Sequence, residues 1–160
     1  MVNYTWIKNN VPNNLKVKQV YGIVFSDDGR VLLRIEDNKY KLTGGKPENN
    51  ETFDETLKRE YIEEINVELE ECYYLGYLQV EENGEKYAQV RMIAKIKKIN
   101  KKRPDLDTCK IYNRKLVNLS NVKKYLKYSD EAGNLMIDDA ICMAYNKYNF
   151  SELNTNEQII

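Results

Sequence analysis

Apolar and polar positions along this chain alternate with two different periods, and the switches between them predict the element order. Between residues 17 and 37, two β-rich runs flank Asp27-Asp28-Gly29, a strong hairpin signal. KYKL (39–42) predicts a short strand and TGGKPENN (43–50) a loop. The period then lengthens. Residues 52–65 predict a helix with Thr52 as N-cap, Glu55 as its capping-box partner, and Asn66 in the left-handed position that ends it. ELEECYYLGYLQV (68–80) reads as one long strand. It turns at Asn83-Gly84 into 87–99, where Val90, Met92, Ala94 and Ile96 share a face. A polar loop (100–107), a strand (110–119), a short helix capped by Ser120, a break at SDEAGN and a final helix (138–148) complete the pattern. Before it, residues 1–14 form an extension with a short strand near 4–7 and the loop NNVPNN. The tail 149–160 is expected to fray, with docking of its terminal isoleucines as the alternative. Strands around one central helix, closed by two more helices, predict an α+β fold, or a mixed-sheet sandwich, in one domain over residues 1–148.

Composition removes several chemistries. The chain contains no histidine, which excludes His-based zinc sites, Ser-His-Asp triads and Cys-His dyads. Lys+Arg 25 against Asp+Glu 25 leaves no general attraction for a nucleic-acid polymer. Cys72, Cys109 and Cys142 are odd in number and lack CxxC spacing, which points to a reducing, cytoplasmic compartment. The first ten residues lack the apolar core of a signal peptide, and no apolar run is long enough to span a membrane, so no membrane partner is expected. The 13 tyrosines read mainly as filler.

The remaining chemistry concentrates on the 52–65 helix. At 100° per residue, Phe53, Leu57 and Glu64 lie within about 60° of Glu60, with Glu63 about 60° to the other side. Glu60 and Glu64 therefore continue the stripe that Phe53 and Leu57 begin. Carboxylates on a core-facing stripe are costly unless paired or metal-bound. Three of them at i, i+3 and i+4 repel one another, and a divalent cation resolves the conflict. Oxygen-only ligands suit Mg²⁺, with Mn²⁺ as a substitute. Arg59 and Glu51 could pair to fix the neighbouring loop. A solvated acidic face is the competing explanation.

Gly45, Glu51, Arg59-Glu60, Tyr61, Glu63-Glu64, Asn66 and Val67 stand at the spacing of a known signature. It consists of a glycine, five residues, a glutamate, seven residues, Arg-Glu, an apolar residue, one residue, two glutamates, one residue, glycine and an apolar residue. The segment resembles the Nudix (MutT-like) hydrolases. Two positions depart: Asn66 replaces the second glycine and Tyr61 a smaller apolar residue. Leu42-Thr43-Gly44-Gly45 also lacks the proline often found before the motif. The resemblance implies an α/β/α sandwich with a central mixed, partly curved sheet, and a Mg²⁺-dependent pyrophosphohydrolase of nucleoside diphosphates linked to another moiety. Family analogy suggests a nucleoside triphosphate or a small nucleotide-sugar. By position, Glu60 and Glu64 resemble the principal metal ligands, Glu63 a further ligand or water-orienting group, the Gly45 carbonyl the loop ligand, and Glu51 and Arg59 the loop anchors.

A later carboxylate often completes such sites. Glu81, Glu82, Glu85, Asp105 and Asp107 are the candidates here. Lys101, Lys102, Arg103, Arg34 and Arg91 are candidates for holding phosphate, and Tyr21, Tyr77 and Tyr87 for stacking on a base. Each has a plain structural explanation as well. Expected partners are a small nucleotide and a second copy of the chain in a homodimer. A catalytically inactive nucleotide-binding or sensor module is the alternative function. An isoprenyl diphosphate isomerase on the same scaffold would want a cysteine at the site, and none of the three lies near the signature.

Overall fold

The computed structural model describes residues 1–128, 130–150 and 152–160. Its strands are β1 (Val2–Ile7), β2 (Val17–Phe25), β3 (Val31–Glu36), β4 (Lys39–Lys41), β5 (Thr43–Gly45), β6 (Val67–Leu69), β7 (Tyr73–Glu82), β8 (Glu85–Ile99), β9 (Asn113–Val117) and β10 (Gln158–Ile159). The helices are α1 (Phe53–Ile65), α2 (Val122–Leu126) and α3 (Glu131–Lys147). The fold is α+β: a mixed, open sheet in the order β1-β7-β8-β2-β3-β9-β10, with β4, β5 and β6 attached to β3, β2 and β8.

Period-two alternation in the central strands divides the interior in two. Val20 and Val24 of β2, with Val90, Met92 and Ala94 of β8, join Leu57, Tyr61 and Ile65 of α1 in one cluster. Ile23, Phe25 and Ile93 point the other way and meet Met136, Ile137, Ala140 and Ala144 of α3. A one-residue slip would exchange these two sets, so burial on both faces fixes the register. The parallel β2–β8 pairing, from Val17↔Ala88 to Phe25↔Lys95, forms the spine.

The hairpin at 27–29 forms as expected, with Gly29 at φ 78° and Ser26 N–H donating to the Arg30 carbonyl at 2.8 Å. Its strands pair only at Phe25↔Val31 before diverging. Part of the expected 43–50 loop fills the gap: β5 pairs with β2 from Gly22↔Thr43 to Val20↔Gly45. Gly44 permits this, since a Cβ there would lie 2.0 Å from the Val20 carbonyl oxygen. At the other hairpin, Asn83 and Gly84 both take positive φ, as a tight two-residue turn requires.

Several boundaries differ from expectation. The 68–80 strand is broken into β6 and β7, because Cys72 N–H turns aside to Asp54 Oδ1 at 3.0 Å. The 110–119 strand starts only at Asn113, since Asp105 organises the preceding residues as a turn. Asn118, not Ser120, caps the short turn before α2, its side chain accepting from Ser120 N–H at 3.1 Å. The segment SDEAGN breaks nothing beyond its first residues. Asp130 caps α3 through Gly133 N–H at 2.9 Å, and Gly133 is tolerated in the helix because a Cβ would strike the Tyr128 ring at 2.6 Å. Ser129, in that segment, lies outside the described residues.

The tail docks instead of fraying. Gln158↔Leu116 and Ile159↔Lys115 pair antiparallel, and Ile160 N–H reaches the Arg114 carbonyl at 3.0 Å. Glu157 accepts from Asn118 N–H at 3.0 Å and from the Tyr125 hydroxyl at 2.5 Å. β9 would otherwise be an edge with unpaired backbone groups, and the tail covers it. Among the described residues no helix is long and apolar enough to cross a membrane. The three cysteines are free, Cys72 buried and the other two exposed.

Candidate active site

Helix α1 starts and stops where its sequence directs. Thr52 Oγ1 accepts from Glu55 N–H at 3.2 Å, and Glu55 Oε2 accepts from Thr52 N–H at 3.1 Å, a complete capping box. Asn66 ends the helix at φ 53°, ψ 50°, and its side chain donates to the Lys101 carbonyl at 2.9 Å. Asparagine therefore supplies the left-handed turn in place of glycine.

The buried stripe runs through Leu57, Tyr61 and Ile65, with Phe53 only partly buried. This corrects the expectation that Phe53 leads it. Tyr61 is fully buried, and its hydroxyl donates to the Gly22 carbonyl at 3.2 Å. Gly22 makes the room: a Cβ there would stand 3.0 Å from Leu57 and 3.2 Å from the Tyr61 hydroxyl. A bulky ring at this position is thus matched by a glycine on β2.

Glu60 lies beside the stripe and is 9% exposed. Gly45 backs onto it so closely that a Cβ at Gly45 would sit 2.3 Å from Glu60 Oε1. Two arginines divide the three carboxylates. Arg59 Nη1 donates to Glu60 Oε1 at 2.9 Å and to Glu63 Oε2 at 3.1 Å. Arg34 Nη1 stands 3.2 Å from Glu64 Oε2, yet that oxygen is buried and makes no hydrogen bond. Drawn apart in this way, the carboxylates form no group of three close enough to be a metal cluster among the described residues. The rest of the Arg59 fork holds the loop: Nε to Glu51 Oε1 at 2.6 Å, Nη2 to Glu51 Oε2 at 3.2 Å and to the Lys46 carbonyl at 3.1 Å. Thr56 Oγ1 adds a bond to Glu51 Oε2 at 2.6 Å.

These contacts set the titration. Hydrogen bonding to Arg59 holds the Glu51 carboxyl down at about 2. Burial raises Glu60, against the pull of Arg59. Burial also pushes Glu64 up to about 7, although Arg34 opposes the rise. Neighbouring carboxylates add to both increases. Buried carboxylates held off their ordinary range are a mark of functional sites.

The donor set fits a hard divalent cation. It consists only of oxygens, a glycine leaves the space in front of Glu60, and Glu64 presents a buried, unbonded oxygen. A cavity of about 620 Å³ opens beside Glu60 and Arg59, lined also by Lys46 and Asp107. Of the later carboxylates, Asp107 alone lines it. Asp105 is buried and spends Oδ1 on the N–H groups of Asp107 and Thr108 at 2.7 and 2.8 Å. Glu81, Glu82 and Glu85 stand at the β7–β8 turn against Lys86, Tyr87 and Lys18. Arg103 donates to the Ile62 carbonyl at the end of α1 at 3.2 Å, and Lys102 to Asn113 Oδ1 at 2.9 Å. Tyr77 is buried in the core and Tyr87 lies under Lys18, whereas Tyr21 lines a second cavity with Arg34 and Arg91. Asp107 has no motif to betray it. Only the Asp105 turn, invisible without the fold, brings it to the pocket.

The comparisons with known proteins agree on one class. A family model described as NUDIX domain matches residues 15–132, and the chain belongs to that family. No curated protein matches it. Among solved structures it is similar to a Bacillus subtilis pyrophosphohydrolase, BsRppH, with TM-score 0.69 and 23% identity over 91% of this chain and 92% of that one. MutT, from work on Aliivibrio salmonicida and Vibrio cholerae, gives 0.59 and 19% over 80% and 98%. A NUDIX hydrolase from Nitrosomonas europaea gives 0.58 and 20% over 88% and 98%. At these identities the likeness is one of fold.

Proposed function

We propose that the chain is a divalent-cation-dependent pyrophosphohydrolase that cuts a nucleoside diphosphate linked to another moiety. The observation that carries this reading is the contact of Gly45 with Glu60, a buried carboxylate facing a position where no side chain fits. Glu60 and Glu64 are the principal ligands of Mg²⁺ or Mn²⁺. Glu63 is a further ligand or orients the attacking water, and the Gly45 carbonyl completes the set from the loop. Bound there, the cation supplies charge neutralisation for the diphosphate and lowers the pKa of a water.

The protein's own groups do the positioning. Arg59, clamped by Glu51, holds the Lys46 carbonyl and so fixes the loop that presents Gly45. Lys46 lines the cavity as a cation for phosphate oxygens. Asp107, whose carboxylate has no hydrogen bond or ion pair among the described residues, is placed to take the proton of water as it attacks phosphorus. The P–O–P bond breaks, and a nucleotide and a phosphorylated remainder leave.

A panel of nucleoside triphosphates and nucleotide-sugars, assayed for released phosphorylated products with Mg²⁺ and with excess chelator, tests the reading. Hydrolysis that requires the cation is expected. No cleavage of any substrate, or full cleavage in chelator, overturns it.

A further inference from the structure

Arg91 is a buried cation with no carboxylate partner among the described residues. It is 4% exposed and lies against the Tyr21 ring, Cζ 4.7 Å from the centroid. Its hydrogen bonds are long and end on neutral oxygens: Nη1 to the Gln89 and Val90 carbonyls at 3.3 and 3.4 Å, and Nη2 to Gln89 Oε1 at 3.3 Å. Nε is buried and donates to nothing. A cation–π contact and three stretched bonds return less than the burial of an ion costs. Such a group calls for an anion.

The surroundings indicate which anion. Arg91 lines a cavity of about 410 Å³, bounded by Tyr21, Tyr40, Leu42 and Tyr128, and no acidic residue is in its lining. Arg34 lines it as well. Its Nε is also buried and unbonded, while its Nη1 stands 3.2 Å from Glu64. Arg34 therefore joins this cavity to the carboxylates of α1. Two unused guanidinium donors border one cavity, next to a site read as cutting a diphosphate. The edge of a neutral base could accept their hydrogen bonds but would leave the Arg91 charge uncompensated. A phosphoryl group does both, through short charge-assisted bonds.

We propose that this cavity holds a third phosphoryl group of the substrate, outside the diphosphate that is cut, on Arg91 and Arg34. The assignment rests on the hydrolase reading for its place in the reaction. It names the substrate class as molecules with at least three phosphoryl groups. Conjugates with only two leave Arg91 without its anion.

Two measurements test it. In the first, ¹⁵N-labelled protein in excess chelator is titrated with inorganic phosphate, and the Arg91 Nε–H resonance, assigned by its loss in R91K, is followed. It should shift to saturation in the parent and in E60Q, and stay in place with chloride at matched ionic strength. A resonance that phosphate does not move overturns the proposal, whatever turnover shows. In the second, R91Q and R91K are compared on a nucleoside triphosphate and on a nucleoside diphosphate-sugar with Mg²⁺. R91Q should raise KM for the triphosphate by about tenfold to a hundredfold, R91K should recover part of this, and KM for the sugar conjugate should stay within about twofold. An equal loss on both substrates overturns the subsite. If the parent cuts nothing while the resonance still shifts, the hydrolase reading has failed and the phosphate site stands. Should R91Q not fold, the titration of the parent decides.

Discussion

Glu64→Gln separates the energetic burden of the candidate site from its use. The Glu64 side chain is 16% exposed and has one cationic neighbour, Arg34. Burial carries its pKa from 4.5 to about 7 in spite of that neighbour, and Glu60, Asp105 and Glu36 add to the rise. Below pH 4.5 the folded and unfolded chains both hold the proton, and the shift costs nothing. Between 4.5 and about 7 the unfolded chain ionises first, so stability falls as pH rises. Above about 7 the penalty is complete. A rise of this size corresponds to about 3 kcal/mol, an upper bound because solvent reaches part of the side chain. Glutamine keeps the shape and removes the charge. In chelator, the variant should match the parent at pH 4.5 and exceed its stability at pH 8 by about 1–3 kcal/mol, which for a chain of this length is a few degrees in Tm. With Mg²⁺ the gap should close or reverse, since ligand binding stabilises the parent by RT ln(1 + [L]/Kd) and the variant has lost a ligand. Turnover should drop by about a hundredfold or more. Thermal melts at pH 4.5, 6 and 8, with and without Mg²⁺, alongside turnover, check all of this. A variant less stable than the parent at pH 8 in chelator would refute the reasoning, because the Arg34 attraction would then outweigh burial.

Gly45→Ala should lower turnover by more than about tenfold and weaken Mg²⁺ binding by calorimetry, because the new Cβ falls 2.3 Å from Glu60 Oε1. Arg59→Lys keeps the charge but loses the fork that spans Glu51, the Lys46 carbonyl, Glu60 and Glu63. A denaturant midpoint lower by about 1–2 kcal/mol and a turnover loss of about tenfold or more are expected. Deleting residues 152–160 removes the β9–β10 pairing and the bonds that Glu157 and Ile160 make. Stability should fall by roughly 2–4 kcal/mol, read as an earlier thermal transition.

The sequence disclosed most where the physics is local. The α1 capping box, the left-handed Asn66, the Asn83-Gly84 turn and the two-period pattern all depend on near neighbours, and all appear in the structure. What it hid depends on distant partners. A Thr-Gly-Gly stretch reads as loop until β2 and β3 diverge and leave an edge for it. A polar tail reads as frayed until Asp28, Arg114 and Asn118 offer it bonds from other elements. Tyr61 reads as a departure until Gly22 is seen opposite its hydroxyl. At the candidate site, residue types and spacing singled out the helix carboxylates. The choice of Asp107 among five later acids needed the turn that Asp105 builds.

The placement of arginines around α1 explains how so acidic a helix can fold at all. Glu60, Glu63 and Glu64 would repel one another at i, i+3 and i+4, yet each has a guanidinium within 3.2 Å, two from Arg59 and one from Arg34. The two arginines are anchored differently. Arg59 is fixed by Glu51 with bonds as short as 2.6 Å. It can give up Glu60 and Glu63 to a cation and still hold the loop. Arg34 is shared between Glu64 and Glu36, with Nε unbonded, and lies 4.5 Å from the Tyr112 ring. When a cation takes Glu64, Arg34 loses its nearer carboxylate and becomes the more available donor for a phosphoryl oxygen. Cation and substrate should then bind cooperatively, because the first frees the group that receives the second.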